Sequence, residues 1–244
     1  MRVIAGSAKS LPLKTPRQNT TRPTTDRIKE TLFNIIAPYI PDCRFLDLFS
    51  GSGGIGIEAL SRGAAEAVFV EQDRAALSVI RQNLRFTHLE ERARVIGSDV
   101  LKAVLSLKDE KPFDIIFMDP PYDHALERRV LESLQNSSCV KEDTWIIVEA
   151  SAETDFSYLE SLGYQLIREK TYGSNRHVFV KKRATGTQHR GKNAVGVLEL
   201  GGETPLRQKR NPTCTEEQFI REASIPSLTD ILTLLPEPPR QWMN

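Results

Sequence analysis

The sequence is poor in cysteine. Cys43, Cys139 and Cys214 stand far apart, with no CxxC pair and no Cys/His spacing of a zinc site, so neither a structural metal nor a disulfide framework is expected. Long hydrophobic runs are missing too: none approaches the roughly 18 residues of a membrane span, and the first residues lack a basic, apolar and small-residue leader. The reading is a cytoplasmic protein with no membrane partner. Net charge is nearly absent at +1, yet uneven: residues 1–29 carry Arg2, Lys9, Lys14, Arg17, Arg22, Arg27 and Lys29 against Asp26 alone. That is a basic arm, with Arg2, Lys9, Lys14 and Arg17 as its candidate phosphate contacts.

What is present, 244 residues that are 39% hydrophobic and 27% charged, suffices for one substantial core and a tail, and a globular monomer is expected. The opening stretch MRVIAGSAKSLPLKTP reads as a small β-hairpin appended to the fold. Thr24 or Thr25 can cap a helix with Ile28, Leu32, Ile35 and Ile36 on one face, ended by Pro38 and Pro41. From Phe45 onward, short apolar strands alternate with helical runs: FLDLF, AVFVE and ARVIG are each followed by a helical pattern, and DIIFMD comes after the last of these. TWIIVEA, YQLIREKTY and RHVFVKK add three more strands, the last two separated by the hairpin signal Gly173, Ser174 and Asn175. The expected fold class is α/β, a doubly wound, seven-stranded and mostly parallel sheet with an antiparallel last strand. The expected parts are an arm over 1–23, a catalytic domain over 24–183 and a flexible extension over 184–244, where patterning dissolves.

Three constellations carry chemistry. The first is DLFSGSGGIG, from Asp47 to Gly56, at a predicted strand-to-helix turn. Gly51, Gly53 and Gly56 allow a nucleotide-like cofactor to touch backbone at the carboxyl end of the sheet, with Phe49 and Ser52 in the same loop. The spacing also satisfies GxGxxG, which leaves a dehydrogenase open; Asp47, placed before the first glycine, suits the ammonium of an amino-acid cofactor and would repel a pyrophosphate. The second is acidic. Glu71 ends the second strand, followed by Gln72, and suits ribose hydroxyls; Ser98 and Asp99 end the third, where Asp99 suits an adenine amine or caps the next helix. The third is Asp119-Pro120-Pro121-Tyr122 after the fourth strand. Asp119 and the Pro120 carbonyl can accept both N–H groups of a planar amine while Tyr122 stacks on its ring, holding the nitrogen toward a methyl donor.

In the order RVIAG, RPTTDRIKETLFN, DLFSGSGGIGIEALSRGA, FVEQD, DIIFMDPPY and YGSNRHVFV, the chain resembles the bacterial 16S ribosomal RNA (guanine-966)-N2-methyltransferases. The resemblance spans Arg2 to about Lys182. It implies a Rossmann-like class I methyltransferase using S-adenosylmethionine, with DPPY as catalytic motif, Arg22 or Thr24 near the methionine end of the cofactor, and an RNA-contacting N-terminal hairpin. Relatives commonly carry an Arg-Gly-Arg type turn where this chain has GSAKSLPLK, which leaves fewer cations for phosphate. The implied partner is 16S RNA within the small subunit or its assembly intermediate. The residues themselves leave an adenine-N6 methyltransferase open, because DPPY does not read the ring, as well as methylation of a side-chain amide and a non-catalytic ribosome-assembly module.

Overall fold

The structure, a computed structural model, describes residues 1–16, 26–121 and 125–184. Arg17, Arg22, Thr24, Tyr122, Cys214 and nearly all of the expected extension therefore lie outside the described residues. In chain order the elements are α1 (Asp26–Ile36), β1 (Arg44–Leu48), α2 (Gly54–Ser61), β2 (Glu66–Glu71), α3 (Arg74–Thr87), β3 (Ala93–Gly97), α4 (Val100–Ser106), β4 (Phe113–Met118), α5 (Leu126–Gln135), β5 (Val140–Ser151), β6 (Tyr164–Tyr172) and β7 (Asn175–Lys182).

They form a seven-stranded sheet in the order β3-β2-β1-β4-β5-β7-β6. The five strands from β3 to β5 pair in parallel, and β7 runs antiparallel to both β5 and β6. This is the Rossmann-like class I arrangement expected from the alternating pattern. The strand order reverses at β1 and β4, so loops leaving their carboxyl ends diverge and open a crevice between them. One face of the sheet packs on α4 and α5 through Val104, Val130 and Leu134; the other packs on α1, α2 and α3 through Phe33, Leu60 and Ile80. Burial on both faces explains why β1, β2 and β4 read as nearly unbroken apolar runs.

Two expectations change. The opening stretch does form a narrow hairpin, closed by an Arg2–Pro12 bridge and by the Val3 N–H donating to the Leu11 carbonyl at 3.0 Å. It is no appendage: Val3, Ala8 and Leu13 are buried in the core against α1, α2 and α3. A Cβ on Gly6, at φ +85°, would stand 1.8 Å from the Ser61 carbonyl oxygen, so the hairpin lies backbone to backbone on α2. Second, α1 buries Lys29, Leu32, Phe33 and Ile36, a face rotated from the expected Ile28–Leu32–Ile35–Ile36 stripe. The cause is Glu58 on α2, whose carboxylate sits 3.1 Å from the Lys29 ammonium with both side chains fully buried. The same carboxylate accepts from the backbone of Ile4 and Ala5 and from Arg62, so one buried acid joins the hairpin to α1 and α2. No helix among the described residues is long and apolar enough to cross a membrane.

Candidate active site

The loop after β1 is built by backbone geometry. Phe49 holds φ at +62°, a left-handed conformation costing about 1 to 2 kcal/mol in a non-glycine residue, and its ring packs against the α4/α5 side of the core. Gly51 and Gly53 follow at φ +54° and +78°. The Ser50 hydroxyl donates to the Asp47 carbonyl at 2.6 Å, and the Gly56 N–H donates to Asp47 Oδ2 at 3.0 Å. The four glycines have different reasons to be glycine. A Cβ on Gly56 would stand 2.3 Å from the Phe69 ring, and one on Gly54 would stand 2.3 Å from Met1 Sδ, so both serve packing. Gly53 needs its φ at the head of α2. At Gly51 a Cβ meets nothing within 4 Å, so space for a ligand lies beside its backbone.

Asp47 is buried inside this turn, and burial, together with the Glu71 charge, pushes its carboxyl up to about 7. Its placement makes it a link between β1 and α2. Glu71 accepts the Gly51 N–H through Oε2 at 2.9 Å and the Gln72 and Asp73 N–H groups through Oε1 at 2.8 Å. Three of its four or so acceptor positions are thus used by the protein, leaving one for a hydroxyl where two had been expected. Asp99 caps α4 through Oδ1, accepting from Leu101 and Lys102, and stands exposed at the end of β3; Ser98 is half-buried beside it. Ser52 turns its hydroxyl toward Met1 Sδ, 3.5 Å away. Among the basic candidates, Arg2 pairs with Asp26 at 3.0 Å, Lys14 reaches Gln82 at 2.8 Å, and Lys9 is exposed.

Asp119 leaves β4 at the crevice, half-buried, and Pro120 behind it is buried. Its carboxyl accepts no hydrogen bond among the described residues. Burial first, then the nearby Glu149 and Asp47 charges, raise its proton affinity well above the usual carboxylate range. Next to it opens a cavity of about 290 Å³ lined by Pro120, Pro121, Glu149 and Ala150, together with Ala125, Glu127 and Thr154. No cluster of three or more His, Cys, Asp or Glu residues arranged to hold a metal ion exists among the described residues.

Residues without a sequence signal for this site also take part. Asn83, mid-helix in α3 and buried, donates to the Ser52 and Lys14 carbonyls at 2.9 and 3.0 Å and accepts the Lys14 N–H at 2.9 Å, tying the glycine loop to the hairpin. Glu149 on β5 faces His177 on β7, Oε2 to Nε2 at 3.2 Å. The only hint of the latter pair was an acid inside the apolar run WIIVEA.

Residues 1–181 match the family model described as conserved hypothetical protein 95. The chain is similar to YlbH of Bacillus subtilis, 40% identical over 185 residues that make up 75% of this chain and 100% of that one. It is 36% identical to the ribosomal RNA small subunit methyltransferase D of Escherichia coli over 186 residues, 76% of this chain and 92% of that one. Among solved structures, yhhF from Escherichia coli superposes with a TM-score of 0.66 at 34% identity, covering 76% of this chain and 99% of that one.

Proposed function

This chain belongs to the family of conserved hypothetical protein 95 and of the small-subunit ribosomal RNA methyltransferases D, and from that premise we propose that it transfers a methyl group from S-adenosylmethionine to the exocyclic N2 of a guanine in 16S ribosomal RNA. The substrate we propose is the small subunit or its assembly intermediate. The observation that carries the reading is Asp119, half-buried and accepting no hydrogen bond among the described residues, at the head of the Pro120-Pro121 corner that lines the cavity.

The residues fit such a cofactor. Open space lies beside the Gly51 backbone, Glu71 keeps one acceptor position for a ribose hydroxyl, and Asp99 stands at the neighbouring strand end for an adenine amine. When bound, S-adenosylmethionine supplies a methyl group on a cationic sulfur, which departs as a neutral thioether. The protein's part is to orient and to hold protons. Asp119 and the Pro120 carbonyl accept the two N–H groups of the target amine, drawing its lone pair out of conjugation with the ring and stabilising the positive charge that grows on nitrogen. Methylation leaves that nitrogen with one proton too many, and Asp119, whose proton affinity is raised, is positioned to take it. Tyr122 stacks on the ring in this reading, and Arg22 or Thr24 lies toward the methionine end of the cofactor. Arg2, Lys9, Lys14 and Arg17 reach for RNA phosphates, for which Arg2 gives up its exposed Asp26 pair at little cost.

The test is transfer of labelled methyl to unmodified small subunits, bare 16S RNA and duplex DNA in parallel, followed by nucleoside analysis. N2-methylguanosine from either ribosomal substrate is the expected product. Label in adenine N6, or none in any nucleic acid, overturns the reading.

A further inference from the structure

The acceptor pair of Asp119 and Pro120 suits any planar amine, so something else must read the ring that carries it. The wall of the adjoining cavity supplies a candidate. Glu149 lines that cavity next to Pro120, and its side chain is only 4% exposed. Its neighbours hold it in place. His177 Nε2 lies 3.2 Å from Glu149 Oε2, and the Asn175 amide nitrogen lies 3.5 Å from Oε1. Both neighbours come from YGSNRHVFV, a segment whose chemistry is otherwise unexplained. β7 lies between β5 and β6, and its register sets His177 directly opposite Glu149. The His177 ring is itself buried and wedged edge-on against Phe117, Tyr172 and Phe179, which fixes the direction of its Nε2. The other carboxylate on the cavity wall, Glu127, is half-exposed on the first turn of α5 and lacks such a frame.

We propose that Glu149, oriented by His177 and Asn175, accepts the ring N1–H next to the target amine and so selects guanine. The inference rests on the methyl-transfer reading above and deepens it. Of the bases that bear an exocyclic amine, guanine alone has a ring N–H beside it; adenine and cytosine carry a ring nitrogen lone pair there. A carboxylate facing that position gains a charge-assisted hydrogen bond from guanine and meets a lone pair in the other two. With Asp119 and Pro120 on the amine and Glu149 on the ring, the two adjacent donor groups of guanine, N1–H and the C2 amine, are both met by acceptors. His177 acts through Glu149 and is a positioning residue.

The test uses an RNA substrate whose target guanosine is replaced by 2-aminopurine riboside, which keeps the amine at C2 but has a lone pair at N1. The wild-type protein is expected to prefer guanosine by about 100-fold or more in kcat/KM, as sites built around a specific donor do. In Glu149→Gln, the amide offers an N–H to that lone pair, so activity on guanosine falls while activity on 2-aminopurine holds or rises, shrinking the ratio by at least about tenfold. His177→Leu is expected to move the same ratio in the same direction, which a merely structural defect would not do. Equal losses on both substrates in Glu149→Gln overturn the proposal, as does a wild-type protein that methylates both alike. The second result needs no variant to fold and leaves guanine-N2 transfer standing; absence of guanosine methylation by the wild type removes both readings.

Discussion

Two loops leave the carboxyl ends of adjacent central strands, and they are built on opposite principles. The loop after β1 is saturated: Ser50, Gly51 and Gly56 each donate to a fixed acceptor, and Asn83 donates from α3 to the Ser52 carbonyl. The loop after β4 is left wanting. Its two prolines have no N–H to give, and Asp119 has no donor among the described residues to satisfy it. The first arrangement suits a site that recognises a ligand by shape and must not move. The second suits a site whose acceptors wait for the donors of the substrate, so that their desolvation is relieved only when the reacting amine arrives.

The largest way to break this contrast is Asp119→Ala. Loss of the acceptor is expected to lower single-turnover methyl transfer by about a thousandfold while cofactor affinity changes by less than about threefold. Equal loss of cofactor binding would mean that the two loops are not separable. Asn83→Ala strikes the saturated loop instead: three bonds vanish, and the buried Ser52 carbonyl and the part-buried backbone of Lys14 lose partners, at roughly 3 kcal/mol in chemical denaturation. The glycines sharpen the comparison further. Gly56→Ala pushes a methyl into the Phe69 ring and is expected to cost about 2 kcal/mol of stability, whereas Gly51→Ala has room, costs about 1 kcal/mol through its φ, and acts mainly by weakening cofactor affinity in titration calorimetry.

The smallest effect is in pH. Asp47 and Asp119 both hold protons more tightly in the folded protein than the ordinary carboxylate does. Folding is thus favoured where they are protonated, and the stability of the ligand-free protein is expected to fall as pH rises from about 4 toward Asp47's value of about 7. Asp47→Asn should flatten that slope in thermal melts across this range; an unchanged slope would show that Asp47 titrates normally. Activity moves the other way, because Asp119 accepts the amine only when ionised, so kcat/KM should drop on acidification at a pH above the usual carboxylate range.

Much of this was legible in the chain. The alternation of short apolar strands with helical runs specifies a parallel sheet covered on both faces, and a glycine-rich turn after the first strand with an Asp-Pro-Pro after the fourth locates the crevice. Where reading along the chain fell short, the deciding partner was far away. Lys29 breaks the apolar stripe of α1 because Glu58 waits for it on another helix, and the hairpin is core because the Ser61 backbone leaves room only for Gly6. GxGxxG looks like one motif, yet the Phe69 ring, rather than any ligand, requires its last glycine, Gly56.

The sequence by itself determined what is local and periodic: the strand and helix pattern, the stiff Pro120-Pro121 corner, the acid at each strand end, and with them the chemistry on offer. Only the tertiary structure decided which acids meet. Glu149 faces His177 because β7 inserts between β5 and β6 in one antiparallel register, and Glu71 holds the Gly51 loop because β1 and β2 lie side by side. A strand's period states which residues share its face; the neighbour and its register follow from how the whole sheet buries its two apolar faces at once.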